Sequence, residues 1–305
     1  MRSRGQYIGV FLLFVAVQLV AVAFAPVMYD LQFQAFEDPG DPINPLIYFA
    51  MMMVMTAGLL LMIKYAKDWA IRLLFIFAVF MTMFFVFYTI ALMFTDEYPL
   101  FETIPTALAF ALAYMLWRDP GWIVIDVVGF IVAIGSTAVL GISLGIVPAL
   151  LLLIVLAVYD AVAVYKTKHM LTLAEGISGL RLPILFIVPK NRDFDMRELD
   201  DLDLKDEGGA EERSTLMMGV GDAVIPGILV VSAAIFLSDV DGAMAYTTDA
   251  ILVAIGTLAG AFIGFALLMR MVSSGKPQAG LPYLNGGAIA GFLVAHLLVF
   301  GGLPF

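Results

Sequence analysis

The chain has no cysteine, which excludes disulfide frameworks, thiolate metal sites and cysteine nucleophiles. Its two histidines, His169 and His296, lie far apart and are too few for the usual zinc sites. Charge is scarce too: 14% of the 305 residues are charged, against about 25% in an ordinary soluble domain. Apolar residues fill the difference, at 62% of the chain with a mean hydropathy of +1.00. No soluble core absorbs that much apolar surface, so the chain reads as a polytopic membrane protein. Its net charge of −10 sits mostly in one loop and the outer connections, and points to no nucleic-acid partner.

Apolar runs of about 18 residues or more mark transmembrane helices. They fall near residues 7–28, 45–63, 70–94, 102–117, 122–142, 146–165, 215–237, 249–271 and 283–303. The expected fold is an all-α integral membrane protein of nine transmembrane helices. Residues 1–165 hold the first six, 166–214 form a cytoplasmic loop, and 215–305 hold the last three. Only residues 141–147 separate the fifth and sixth spans, and Pro148 suits the first turn of the sixth. The first span is too long for a secretory signal and lacks its small-residue cleavage site, so it is expected to stay as an anchor. Lipidation patterns are absent at both ends.

Charge sets the orientation. With the N-terminus inside and spans alternating, all 16 Lys and Arg residues fall on the inner side. The outer loops keep ten acids and no base, Glu37, Asp38, Asp96, Glu97, Asp239 and Asp241 among them. The positive-inside rule then predicts a cytoplasmic N-terminus and an outer C-terminus. Within the 166–214 loop, residues 170–189 are semi-apolar and are expected to lie at the interface or extend as a strand. Residues 193–212 are a charged run expected to be disordered.

Two carboxylates break this pattern, Asp160 in the sixth span and Asp222 in the seventh. A charge at such depth costs a few kcal/mol or more, so an intramembrane acid is a functional candidate by default. Asp160 lies six residues before Lys166 and Asp222 nine after Arg213, about 9 and 13 Å from the inner charges at the helical rise. Antiparallel helices bring both to one level, and neither span holds a base to neutralise them. Two such carboxylates share a proton, so one can activate water while the other polarises a carbonyl. Gly219 and Gly221 beside Asp222 would let a second helix or a substrate backbone approach. Pro226 cannot donate to the carbonyl of residue 222, which leaves an acceptor free beside the acid. Asp126, shallow in the fifth span, is expected to snorkel or pair with Arg118. His296 reads as a packing or hydrogen-bonding residue, and Met51 to Met53 as a lipid-facing or packing surface.

These residues resemble a known family. Tyr159-Asp160 on one span and Gly219-Val220-Gly221-Asp222 on the next are similar to the paired motifs of presenilins and signal peptide peptidases. The Pro-Ala-Leu element before the last span is present in altered form as Ala279-Gly280-Leu281-Pro282. The first motif resembles presenilin and the second, with Ile225-Pro226-Gly227, signal peptide peptidase; the charge distribution matches the presenilin orientation. The resemblance implies an intramembrane aspartyl protease with Asp160 and Asp222 catalytic. It places Tyr159, Gly219, Gly221, Gly280, Leu281 and Pro282 around the substrate, and implies no metal or cofactor. Expected partners are transmembrane helical substrates, the lipid bilayer and a second copy of the chain. Short outer loops without N-x-Ser/Thr sites suit a multi-pass protein of a prokaryotic, archaeal cell membrane. The rival readings are a proton- or cation-coupled transporter or channel, with the acids as a relay, and a structural scaffold. Almost wholly apolar outer halves of the sixth and seventh spans favour a one-sided, cytoplasm-facing site over transport.

Overall fold

Long apolar stretches bounded by charge, proline or glycine form the helices. In order they are α1 (Ser3–Asp30), α2 (Asn44–Tyr65), α3 (Asp68–Phe94), α4 (Leu100–Arg118), α5 (Trp122–Ser143), α6 (Ile146–Val162), α7 (Val220–Phe236), α8 (Thr248–Val272) and α9 (Leu281–Phe300). A π-helical turn, Ala163–Thr167, continues α6. Strands β1 (Leu185–Pro189) and β2 (Thr215–Gly219) form an antiparallel ribbon. The structure is a computed structural model that describes residues 3–94, 99–118, 120–167, 183–190, 194, 215–238, 246–272 and 278–304.

Nine α-helices thus appear among the described residues, eight of them long and apolar enough to cross a membrane. The exception is α7, at 17 residues. The predicted seventh span starts too early, because residues 215–219 are strand rather than helix. Gly219 and Gly221 weaken helix at that end, and β1 offers backbone partners that an isolated first turn would lack. The all-α expectation is corrected by this ribbon. Of the semi-apolar loop segment, residues 185–189 take the extended alternative; residues 170–182 lie outside the described residues. So does the charged run 193–212, except for Phe194, which is buried.

The described chain divides into two compact units. The first unit, residues 1–13, 54–135 and 169–221, has a core of Ile76, Val79 and Met83 from α3, Ala109, Ala113 and Leu116 from α4, and Ile125 and Val128 from α5. Ile187 of β1 joins it. Arg72 Nη2 donates to the carbonyls of Leu116 and Trp117, at 3.0 and 2.7 Å, satisfying acceptors at the end of α4 that no helical turn can reach. The ribbon is pinned from two sides. Asp126 Oδ1 accepts the Ile187 N–H at 2.7 Å, and Gln6 Nε2 donates to the Val188 carbonyl at 3.0 Å. Asp126 thus takes a strand N–H as partner instead of the expected Arg118, which stacks over Tyr114.

The second unit, residues 14–53, 136–168 and 222–305, is held by glycine. Gly256, Gly260 and Gly264 on α8 face Gly287, Gly291 and Ala295 on α9 at four-residue spacing. A methyl at Gly260 would strike the Gly287 carbonyl, and one at Gly264 the Tyr283 carbonyl. Small residues in register let two membrane helices meet backbone to backbone, where dispersion rather than water expulsion holds them. Asn285, fully buried on α9, donates from Nδ2 to the Leu153 carbonyl of α6 at 2.9 Å. Ser232 of α7 donates to the Leu144 carbonyl at 2.8 Å, beside the contact of Gly141 with Val231. His296 is satisfied as expected, its Nδ1 2.8 Å from the Gly302 carbonyl and its ring between Phe292 and Phe300.

Candidate active site

Three segments of the second unit converge. Asp160 lies near the end of α6 and is buried; Asp222 lies in the first turn of α7 and is half-buried. The third segment is Gln278 to Gly280, which leads into α9. Glycine with proline at the helix start defines that end: the Gly280 carbonyl accepts from the N–H groups of Tyr283 and Leu284, both at 3.2 Å. Pro282 sits in the first turn, where its missing N–H leaves nothing unpaired.

The Leu281 N–H, at the start of α9, donates to Asp160 Oδ2 at 3.0 Å, and Gly280 directs its N–H to the same carboxyl. Asp160 thus acts as an N-cap supplied by a neighbouring helix, a place where exposed N–H groups and the helix dipole favour an acidic side chain. One residue earlier the same segment meets the other acid. A methyl at Gly280 would lie 3.4 Å from Asp222 Oδ1 and 3.6 Å from its carboxyl carbon. Gly280-Leu281 therefore binds one carboxyl group, and the side-chain position of Gly280 opens onto the other. Ala279-Gly280, where the sequence departs from Pro-Ala, keeps the segment at the acids. In the first turn of α7, Asp222 is itself at a favourable helix end.

Other motif residues are placed as follows. Tyr159 turns its ring to Phe49 of α2, edge to face at 5.7 Å. Gly219 ends β2, and two residues further a methyl at Gly221 would meet no heavy atom within 4 Å. Among the described residues no second helix approaches Gly221 closely. Sequence reasoning missed Asn285, Tyr165 and the glycine register of α8 and α9. The four-residue spacing of glycines was the signal for the last; Tyr165 carried none.

Nearly the whole chain, residues 11–301, matches the family described as signal-peptide peptidase, presenilin aspartyl protease. The chain belongs to this family. Two crystal structures of a presenilin family intramembrane aspartate protease agree with it. One, in space group C222, is 31% identical with a TM-score of 0.67, covering 95% of this chain and 97% of its own. The other, in space group P2, is 33% identical with the same TM-score, covering 94% and 96%. Among curated proteins none matches significantly. The protease is thus an aspartic endopeptidase of the intramembrane class, a multi-pass membrane protein whose substrates are membrane-embedded.

Proposed function

We propose that Asp160 and Asp222 together cleave peptide bonds within single-span transmembrane helices. The observation that carries this reading is that Leu281 N–H binds Asp160 while the adjacent Gly280 leaves its side-chain position open toward the Asp222 carboxyl. In the reaction the ionised carboxylate takes a proton from water as its oxygen attacks the scissile carbonyl. The protonated partner donates to the carbonyl oxygen. Collapse of the resulting gem-diol breaks the C–N bond, and a proton passes to the leaving amine. One peptide bond and one water become a carboxylic acid and an amine, with no cofactor required.

A helical carbonyl is already hydrogen-bonded, so the substrate must unwind, and lipid offers its freed backbone no partners. Strand addition answers that need. In the observed register Val220 N–H donates to the Ile184 carbonyl at 3.0 Å, so the backbone groups of Met217 and Gly219 face away from β1. An unwound substrate segment would add to that edge as a third strand. Inner-side placement of every base supports a cytoplasmic N-terminus, water supply from the cytoplasm, and substrates with their N-terminus outside. Short outer loops support the cell membrane of a prokaryote.

The test is cleavage of a single-span reporter by purified protein in lipid vesicles. Asp160→Ala and Asp222→Ala are each expected to abolish product, read by mass spectrometry. Substantial cleavage by either variant ends the two-aspartate mechanism. Proton or cation flux in the same vesicles that depends on both acids would favour a relay instead.

A further inference from the structure

Gly280 and Leu281 lie at the two carboxyl groups where an approach without regular secondary structure, Gln278 to Gly280, runs into the start of α9. No ladder of backbone hydrogen bonds fixes its shape, yet the acids need their neighbours held to well under an ångström. The C-terminal side is secured by α9. On the N-terminal side the described contacts converge on one hydroxyl. Tyr165 donates to Gln278 Oε1 at 3.1 Å and accepts the Ala279 N–H at 3.5 Å.

We propose that Tyr165 is a positioning residue of the aspartate site, holding the Gln278-Ala279 approach so that Gly280 and Leu281 present correctly to Asp222 and Asp160. The proposal rests on the proteolytic reading above.

Its geometry is self-consistent. Asp160 and Tyr165 are five residues apart, about 7.5 Å of helical rise. Gln278 and Leu281 are three residues apart, at most about 10 Å of extended chain. One helix can therefore grip the segment at both points without straining it. The π-helical turn containing Tyr165 bears on this, because widening a turn re-aims the side chains that follow it. Tyr165 is 56% exposed and contributes little buried ring surface, so its hydroxyl is the part with a task. Ala279, by contrast, is fully buried. Without the hydroxyl its N–H loses the partner seen here, and the residue regains freedom in φ.

That freedom explains the departure from Pro-Ala. Proline at 279 would lock φ without any N–H to satisfy. Alanine needs an outside hold, which Tyr165 supplies.

The test compares wild type with Tyr165→Phe, Ala279→Pro and the double variant on the single-span reporter in vesicles, with melting temperature measured for each. Tyr165→Phe is expected to lower kcat about three- to tenfold, roughly the worth of one neutral hydrogen bond, with KM and melting temperature unchanged. Adding Ala279→Pro should restore most of kcat, since fixed φ replaces the missing hydroxyl. Gln278→Leu, which removes one of the two contacts, should show a smaller loss of the same kind. The proposal is overturned if Tyr165→Phe keeps wild-type kcat, if its loss tracks a fall in melting temperature, or if the proline gives no rescue. Failure of the proteolytic reading looks different: wild type itself would make no product, or Asp222→Ala would still make it.

Discussion

Asp160 is held by a main-chain donor, so no side-chain truncation at Leu281 can remove that bond. The side chain that matters next is at 280. A methyl there makes ordinary van der Waals contact with the Asp222 carboxyl, so Gly280→Ala should fold and cleave within a few-fold of wild type. Gly280→Leu would drive bulk onto that carboxyl and should abolish cleavage while the protein still purifies as a monodisperse species. Asn285 gives a stability prediction. Its bond to the Leu153 carbonyl is buried, and Asn285→Leu should cost about 0.6–2 kcal/mol, the range for interhelical hydrogen bonds in membranes, read as a lower thermal midpoint in detergent. Gln18 predicts the opposite sign. Its amide and the Thr137 hydroxyl are buried against Gly227, and among the described residues neither has a hydrogen-bond partner. Gln18→Leu removes an orphaned polar group and should raise the midpoint.

At the scale of elements, α8 and α9 behave as one body. Even a methyl at Gly260 collides with backbone of the facing helix, which cannot rotate away as a side chain can. Gly260→Leu should therefore destabilise by at least about 2 kcal/mol and lose cleavage too, because α9 carries Leu281. Retained melting temperature and activity together would show that the two helices slide freely. Eight of the helices were legible because each is a long apolar run, and the two acids because neither of their spans holds a Lys or Arg. β2 was not: Thr215-Leu216-Met217-Met218 runs into apolar residues without punctuation, and its partner lies 30 residues away in β1. Pairing across such a distance is a tertiary decision that local pattern does not record. The hold of Tyr165 on Ala279 was equally hidden, since it depends on a π-helical turn. The glycine register, in contrast, stood in plain sight at four-residue spacing.

For the whole molecule, the absence of native cysteine becomes an experimental advantage. Single cysteines report their own accessibility without background. With the N-terminus inside, Asp38→Cys should react with an impermeant maleimide on intact cells. Gly121→Cys should react only after permeabilisation. The reverse pattern would invert the orientation and with it the polarity expected of substrates.

The N-cap that Asp160 lends to α9 has a practical consequence for trapping substrates. Inactive variants are the usual means of holding an enzyme with uncut substrate, but on the proposed two-aspartate mechanism Asp160→Ala would silence the chemistry and uncap a helix together. A complex captured that way would show a site whose floor had shifted. Asp160→Asn keeps an oxygen for the Leu281 N–H while removing the ionisable group. It is the better bait.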